Sequence, residues 1–109
     1  MTDIEQIIAQ IRSFRDDRDW QQFHNSKDLA LALSIESSEL LELFLWKGNE
    51  EANLEKLKKE LADVFMYAFL LADKHNLNIK QIVEEKIRLN NERYPVEKAK
   101  GTAKKYNEL

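Results

Sequence analysis

Two pairs of acidic residues stand out for the chemistry their spacing allows. Glu36 with Glu39, and Glu60 with Asp63, are each one helical turn apart, so on a helix each pair shares a face. At about 100° per residue, Glu36 falls in the middle of the stripe made by Leu29, Leu33, Leu40 and Leu43, and Glu39 lies at its edge beside Ala32 and Trp46. Glu60, Asp63 and Tyr67 make a strip that borders Leu57, Val64 and Leu71. A carboxylate against an apolar seam must be paired, metal-bound or protonated, because an isolated buried charge costs several kcal/mol or shifts its pKa. Most glutamates on lysine-rich helices are solvated or paired with neighbours such as Lys58 and Lys59. Two pairs that both border apolar seams favour a metal site instead. Four oxygen donors around one space suit a hard cation, Mg²⁺ first, with Mn²⁺ as a substitute. Neither His24 nor His75 repeats the Glu-x-x-His spacing of di-iron bundles, and the chain has no cysteine.

Such pairs need helices to hold them. The chain has 109 residues, with Gly 2, Pro 1 and a charged fraction of 34%, which predicts one all-α domain over 1–109. Thr2 and Glu5 read as a capping box, followed by Ile4, Ile7, Ile8, Ile11 and Phe14 on one face of a first helix from about Thr2 to Asp17. An unusually aromatic connector, Asp19 to His24, leads to Asn25 or Ser26 as the cap of a second helix, Lys27 to Lys47. That helix is apolar almost all round and must be covered on several sides. Gly48 is the expected C-terminal cap. A third helix extends to about His75 with Leu54, Leu57, Leu61, Val64, Ala68 and Leu71 as its seam. Asn78 with Gln81 marks the start of a fourth, which Pro95 ends. Residues 96–109, bearing Lys98, Lys100, Lys104 and Lys105, read as a basic arm that is flexible or partly docked.

The formal net charge is −3 and the basic residues form no dominant patch, which argues against a nucleic-acid polymer as partner. A free nucleotide remains compatible, because metal ions bridge its phosphates to carboxylates. No leader-like or membrane-spanning apolar segment is present. The expectation is a soluble, cytoplasmic protein without disulfides.

A longer set of residues carries a resemblance: Arg18 to His24, then Glu36-Ser37-Ser38-Glu39 through Phe44 with Trp46-Lys47, then Glu60 to Val64 with Tyr67, and Asn90 with Arg93-Tyr94-Pro95. In this order they resemble the MazG-related all-α nucleoside triphosphate pyrophosphohydrolases, and within them the dCTP pyrophosphatase branch. The likeness runs from about residue 15 to the end. It implies a four-helix MazG-like bundle that assembles as a homodimer or a dimer of dimers (homotetramer), with active sites built across subunits. It also implies cleavage between the α and β phosphates to give a nucleoside monophosphate and pyrophosphate, a house-cleaning activity on the nucleotide pool.

Under this resemblance Glu36, Glu39, Glu60 and Asp63 are the metal-coordinating, catalytic positions. Trp20, His24, Trp46 and Tyr67 match the nucleoside pocket, where aromatic surfaces and a polar edge would take a base. Lys86 and Asn90 project from the same side of the fourth helix as Ile79, Ile82, Val83 and Ile87, and with Arg93 they are candidates for phosphate and sugar contacts. Ser37 and Ser38 depart from the small residues, such as glycine, usual at these positions, and Arg88 stands where an acid is expected. A dATP or broad-specificity dNTP pyrophosphatase shares every carboxylate with this reading. A non-catalytic helical interaction module, with structural acids, is the alternative from another class.

Overall fold

The computed structural model describes residues 1–109 and is all-helical. Its helices are α1 (Asp3–Asp17), α2 (Ser26–Glu42), α3 (Leu54–Lys74), α4 (Ile79–Arg93) and α5 (Val96–Ala99), with short 3-10 turns at Gln21–Phe23 and Tyr106–Glu108. The chain divides into two compact units, Met1–Asn76 and Leu77–Leu109. No helix is long and apolar enough to cross a membrane.

In the first unit the capping signals hold. The Thr2 hydroxyl accepts from the Glu5 backbone N–H, and the Glu5 carboxylate accepts from that of Thr2. Asn25 caps α2 by accepting from the Asp28 N–H at 2.8 Å, and Asn53 caps α3 by accepting from that of Lys56. These side chains satisfy donors that the first helical turn leaves free.

α3 packs along α2 and, less extensively, against α1. Ile11, Leu29 and Leu70, one from each helix, are the buried centre, with Met66, Tyr67, Phe69 and Leu71 packed against them. The core therefore lies toward the C-terminal half of α3, where α1 approaches. This corrects the expected seam: Leu54 is 61% exposed and Leu61 lies on the surface, whereas Leu70 is buried. The periodicity located the apolar face but not the stretch of it that α1 covers.

α2 also ends earlier than expected. From Leu43 to Leu45 the backbone N–H groups bond three residues back, to Leu40, Leu41 and Glu42, which tightens the last turn. Trp46 then takes a positive φ of 62°, a conformation costly for a bulky side chain. The helix thus does not reach Lys47, and Gly48 is not its cap; the Gly48 N–H donates instead to Glu51 Oε2 at 3.1 Å. Ser37 and Ser38 sit inside α2 with their hydroxyls donating to the Leu33 and Ser34 carbonyls, so these polar side chains are satisfied within the helix. Leu29 is buried, but Leu31, Ile35, Leu41 and Leu45 are all exposed.

In the second unit Asn78 accepts from the Gln81 N–H at 2.9 Å and starts α4. The tail packs back on the end of α4. The Tyr106 ring lies edge-on to Tyr94 with centroids 6.2 Å apart, and the Arg93 guanidinium sits 4.8 Å above it. Gly101, at φ 79°, makes the turn that brings the chain back.

Candidate active site

The pairing of α2 with α3 brings Glu36, Glu60 and Asp63 together. One carboxylate oxygen from each lies within 4.8 Å of the others. Glu39 is exposed, and its carboxyl acts on the Glu36 and Glu60 carboxyls from beside the cluster. Glu36 Oε2 and Glu60 Oε2 are buried without a hydrogen-bond partner. Such orphaned acceptors are rare in folded proteins and mark a place for an ion or a proton.

The electrostatics agree. Burial, then the Glu39 carboxyl, then the charges of Asp63 and Glu60 push the Glu36 pKa up to about 7. Glu60 is raised by burial and by Glu39 and Asp63. The Tyr67 phenol is raised by burial and by the charges of Glu36, Asp63 and Glu39. Only acids act on these groups, with no basic side chain among the causes, so like charges are held together with nothing to neutralise them. Clustered oxygens, two of them orphaned, fit a divalent cation, and the donor set is the kind that Mg²⁺ or Mn²⁺ takes. Glu36, Glu60 and Asp63 would hold it, with Glu39 beside them.

Next to the cluster is a cavity of about 210 Å³, whose walls include Asp63, Tyr67, Trp20, His24, Arg15 and Phe14. Trp20 is held there by the loop that reverses the chain after α1. Asp19 takes a positive φ of 56°, the Trp20 N–H donates to the Arg15 carbonyl, and the indole meets the Phe14 ring edge-on at 5.7 Å. His24 follows the Gln21–Phe23 turn. Its Nδ1 is buried without a partner, and burial together with the Arg15 and Lys74 charges lowers its pKa. The ring is therefore neutral at physiological pH.

Of the residues singled out in the sequence, the structure thus gathers Glu36, Glu60 and Asp63, with Glu39 adjoining, and places Trp20, His24 and Tyr67 in one cavity with Asp63. Trp46 is not in that cavity; it is 94% exposed. Lys86, Asn90 and Arg93 belong to α4 in the second unit, where Lys86 and Asn90 are exposed and Arg93 stacks on Tyr106. Arg15 was not singled out, although its side chain is only 11% exposed and lines the cavity. The signal was present: Arg15 follows Ile8 and Ile11 at helical spacing, a charge on an apolar stripe, as Glu36 is on α2.

A small all-helical protein with an acidic cluster beside an aromatic cavity is the class that fold and site define. The chain belongs to the MazG-like family, whose pattern matches residues 31–109. It is 38% identical to dCTP pyrophosphatase 1 of Mus musculus over 117 residues, an alignment covering 100% of this chain and 67% of that one. The Homo sapiens dCTP pyrophosphatase 1 is 36% identical over the same length, with the same coverage. The fold is also similar to the crystal structure of a pyrophosphatase from Archaeoglobus fulgidus DSM 4304, with a TM-score of 0.82 and 33% identity over 87% of this chain and 94% of that one.

Proposed function

We propose that this chain is a Mg²⁺-dependent nucleoside triphosphate pyrophosphohydrolase of dCTP type, producing a deoxynucleoside monophosphate and pyrophosphate. The observation that carries the reading is the convergence of Glu36, Glu60 and Asp63, with two orphaned oxygens, beside a cavity walled by Trp20, His24 and Tyr67. The names of the relatives support the reaction and the base.

A bound divalent ion supplies charge neutralisation of the triphosphate, polarisation of the α-phosphoryl group and acidification of water. The chain's own residues do the rest. Glu36, Glu60 and Asp63 would hold the ion. Glu36 or Glu39 accepts the proton of the attacking water. Trp20 offers a stacking face, and His24 and Tyr67 offer polar groups to the nucleoside. Lys86, Asn90 and Arg93 stay candidates for phosphate and sugar contacts on the sequence resemblance alone.

Self-association as a dimer or a dimer of dimers belongs to the same proposal. Leu31, Ile35 and Leu41 of α2, with Leu45 just beyond its end, are apolar side chains left uncovered, which supports burial against a second copy. The exposure of Trp46, 94% beyond the end of that helix, supports a role for it at the site of a second copy.

Product analysis with Mg²⁺ across the common nucleotides tests metal, bond and base together. Pyrophosphate and dCMP from dCTP is the expected result. Inorganic phosphate in place of pyrophosphate would put the cleaved bond elsewhere, equal turnover of all deoxynucleotides would replace the dCTP assignment by a broad one, and no turnover would leave a non-catalytic helical module.

A further inference from the structure

Arg15 is the least solvated of the charged side chains in the ion pairs of this molecule, at 11% exposure. Its Nε donates to Asp16 Oδ1 at 2.8 Å, which leaves the Nη groups of a planar, five-donor fork for another acceptor. Arg12, one turn earlier, is committed to Asp73 through Nε at 2.8 Å and through Nη2. Arg18 lies over the Phe14 ring and donates to the Phe14 carbonyl, which leaves Arg15 as the guanidinium with Nη groups available in the cavity wall.

Its position is specific. Arg15, His24 and Leu70 line both the 210 Å³ cavity beside Asp63 and a second cavity of about 380 Å³ that includes Asp73 and Lys74. These three residues thus form the wall between the two. The smaller cavity is below the roughly 300–1,000 Å³ that encloses a drug-sized ligand, so it takes one end of a nucleotide and not the whole. Asp63 belongs to the acidic cluster, where the phosphates are drawn by metal. Trp20 offers an aromatic face and Leu70 an apolar one, which suits a planar ring and not a phosphate. Hydrogen-bonding groups on the dividing wall therefore address the edge of the base.

We propose that Arg15 is the specificity-determining residue for the base: its Nη groups donate to the adjacent O2 and N3 acceptors of cytosine, while the partnerless Nδ1 of His24 accepts from the exocyclic 4-amino group. The inference rests on the proposed nucleotide reading of this site. Thymine and uracil invert two of these three positions, with an N3–H facing the guanidinium and a carbonyl facing the imidazole acceptor. A misplaced donor or acceptor in a desolvated site is left unpaired. A bidentate arginine contact to a base is worth about 1–3 kcal/mol of discrimination, roughly tenfold to a hundredfold in rate ratio.

The test is steady-state hydrolysis of dCTP and dTTP with Mg²⁺ by the wild type, Arg15→Lys and Arg15→Met, with circular dichroism as the check on folding. The expected result is a wild type that favours dCTP, and a dCTP to dTTP ratio of kcat/KM that falls about tenfold to a hundredfold in Arg15→Met, chiefly through the KM for dCTP. Arg15→Lys, which keeps the charge and loses the fork, falls part of the way and decides the matter if Arg15→Met does not fold. A ratio unchanged in the folded variants, or an equal loss on both substrates, overturns the proposal. A wild type that releases pyrophosphate equally from both nucleotides overturns it and leaves the reaction standing. A wild type that releases none from either overturns the nucleotide reading as well.

Discussion

α3 carries two acidic sites that follow opposite rules. At Glu60 and Asp63 the carboxylates face Glu36 and Glu39, no cation opposes them, and the pKa values of Glu36 and Glu60 are raised. Three turns further on, Asp73 accepts from both Nε and Nη2 of Arg12, and this pairing pulls its pKa down despite partial burial. The Asp73 site ties α3 to α1 and is complete as it stands. The cluster at Glu60 and Asp63 is strained by like charge, and that strain is relieved only by a cation or by protons. Unneutralised charge held in place by packing is a mark of a functional site, whereas neutralised charge is a mark of a structural one.

Substitution separates them most sharply. Asp63→Asn and Glu39→Gln should each lower Mg²⁺-dependent pyrophosphate release by about a thousandfold or more, since a misplaced ion forfeits several kcal/mol of transition-state stabilisation. Both variants should remain folded, and thermal melting without metal should show Asp63→Asn no less stable than the wild type, because a like charge has been removed. Activity retained in both would remove the cluster from the chemistry.

Asp73→Asn should do the reverse. It breaks a bidentate pair that is only partly screened, at a cost of about 1 kcal/mol, visible as a lower denaturation midpoint. The stoichiometry of Mn²⁺ bound per chain, read by calorimetry, should not change. A loss of bound metal in this variant would mean that the two sites are not independent.

The pH dependence of the two sites should also have opposite sign. Glu36 titrates near pH 7 in the folded chain and near its ordinary value when unfolded. Its contribution to metal-free stability is therefore present below about pH 4.5 and lost as the pH rises toward 7. Asp73 is lowered, so its contribution is present above its ordinary range near pH 4 and lost as the pH falls through its lower folded value. Metal competes with the Glu36 proton, so the apparent Mn²⁺ affinity should be tighter at pH 8 than at pH 6. Thermal melts across pH 3 to 8 with and without Mg²⁺ check both signs; equal affinity at pH 6 and pH 8 would contradict the protonated cluster.

The smallest effect expected is at the far end of α1. Thr2→Ala removes a reciprocal capping box and should cost about 0.5–1 kcal/mol by chemical denaturation, with no effect on metal binding at either pH.

Much of this was legible in the residues. The helix starts at Thr2, Asn25 and Asn78 are local chemistry, written in side chains that reach backbone donors two or three positions ahead. The acidic pairs were legible because helical spacing alone places Glu36 and Asp63 against apolar seams. The stop of α2 was not, because the tightened turn at Leu43 to Leu45 and the left-handed Trp46 occur within an apolar run that reads as more helix. Nor were the contacts of the tail, in which Tyr106 meets Tyr94 and Arg93 after a turn at Gly101.

The sequence by itself determined that the chain is all-α and which acids lie one turn apart on the core side of their helices, because both follow from composition and a period of about 3.6 residues. Only the tertiary structure decided that three of the four acids share one space, that Trp20 and His24 line one cavity with Asp63 while Trp46 does not, and that Arg15 lies in the wall of that cavity. Each of these depends on how α1 and α2 lie against α3, and the approach of one helix to another is set by the packing of side chains far apart in the chain, which no local period encodes.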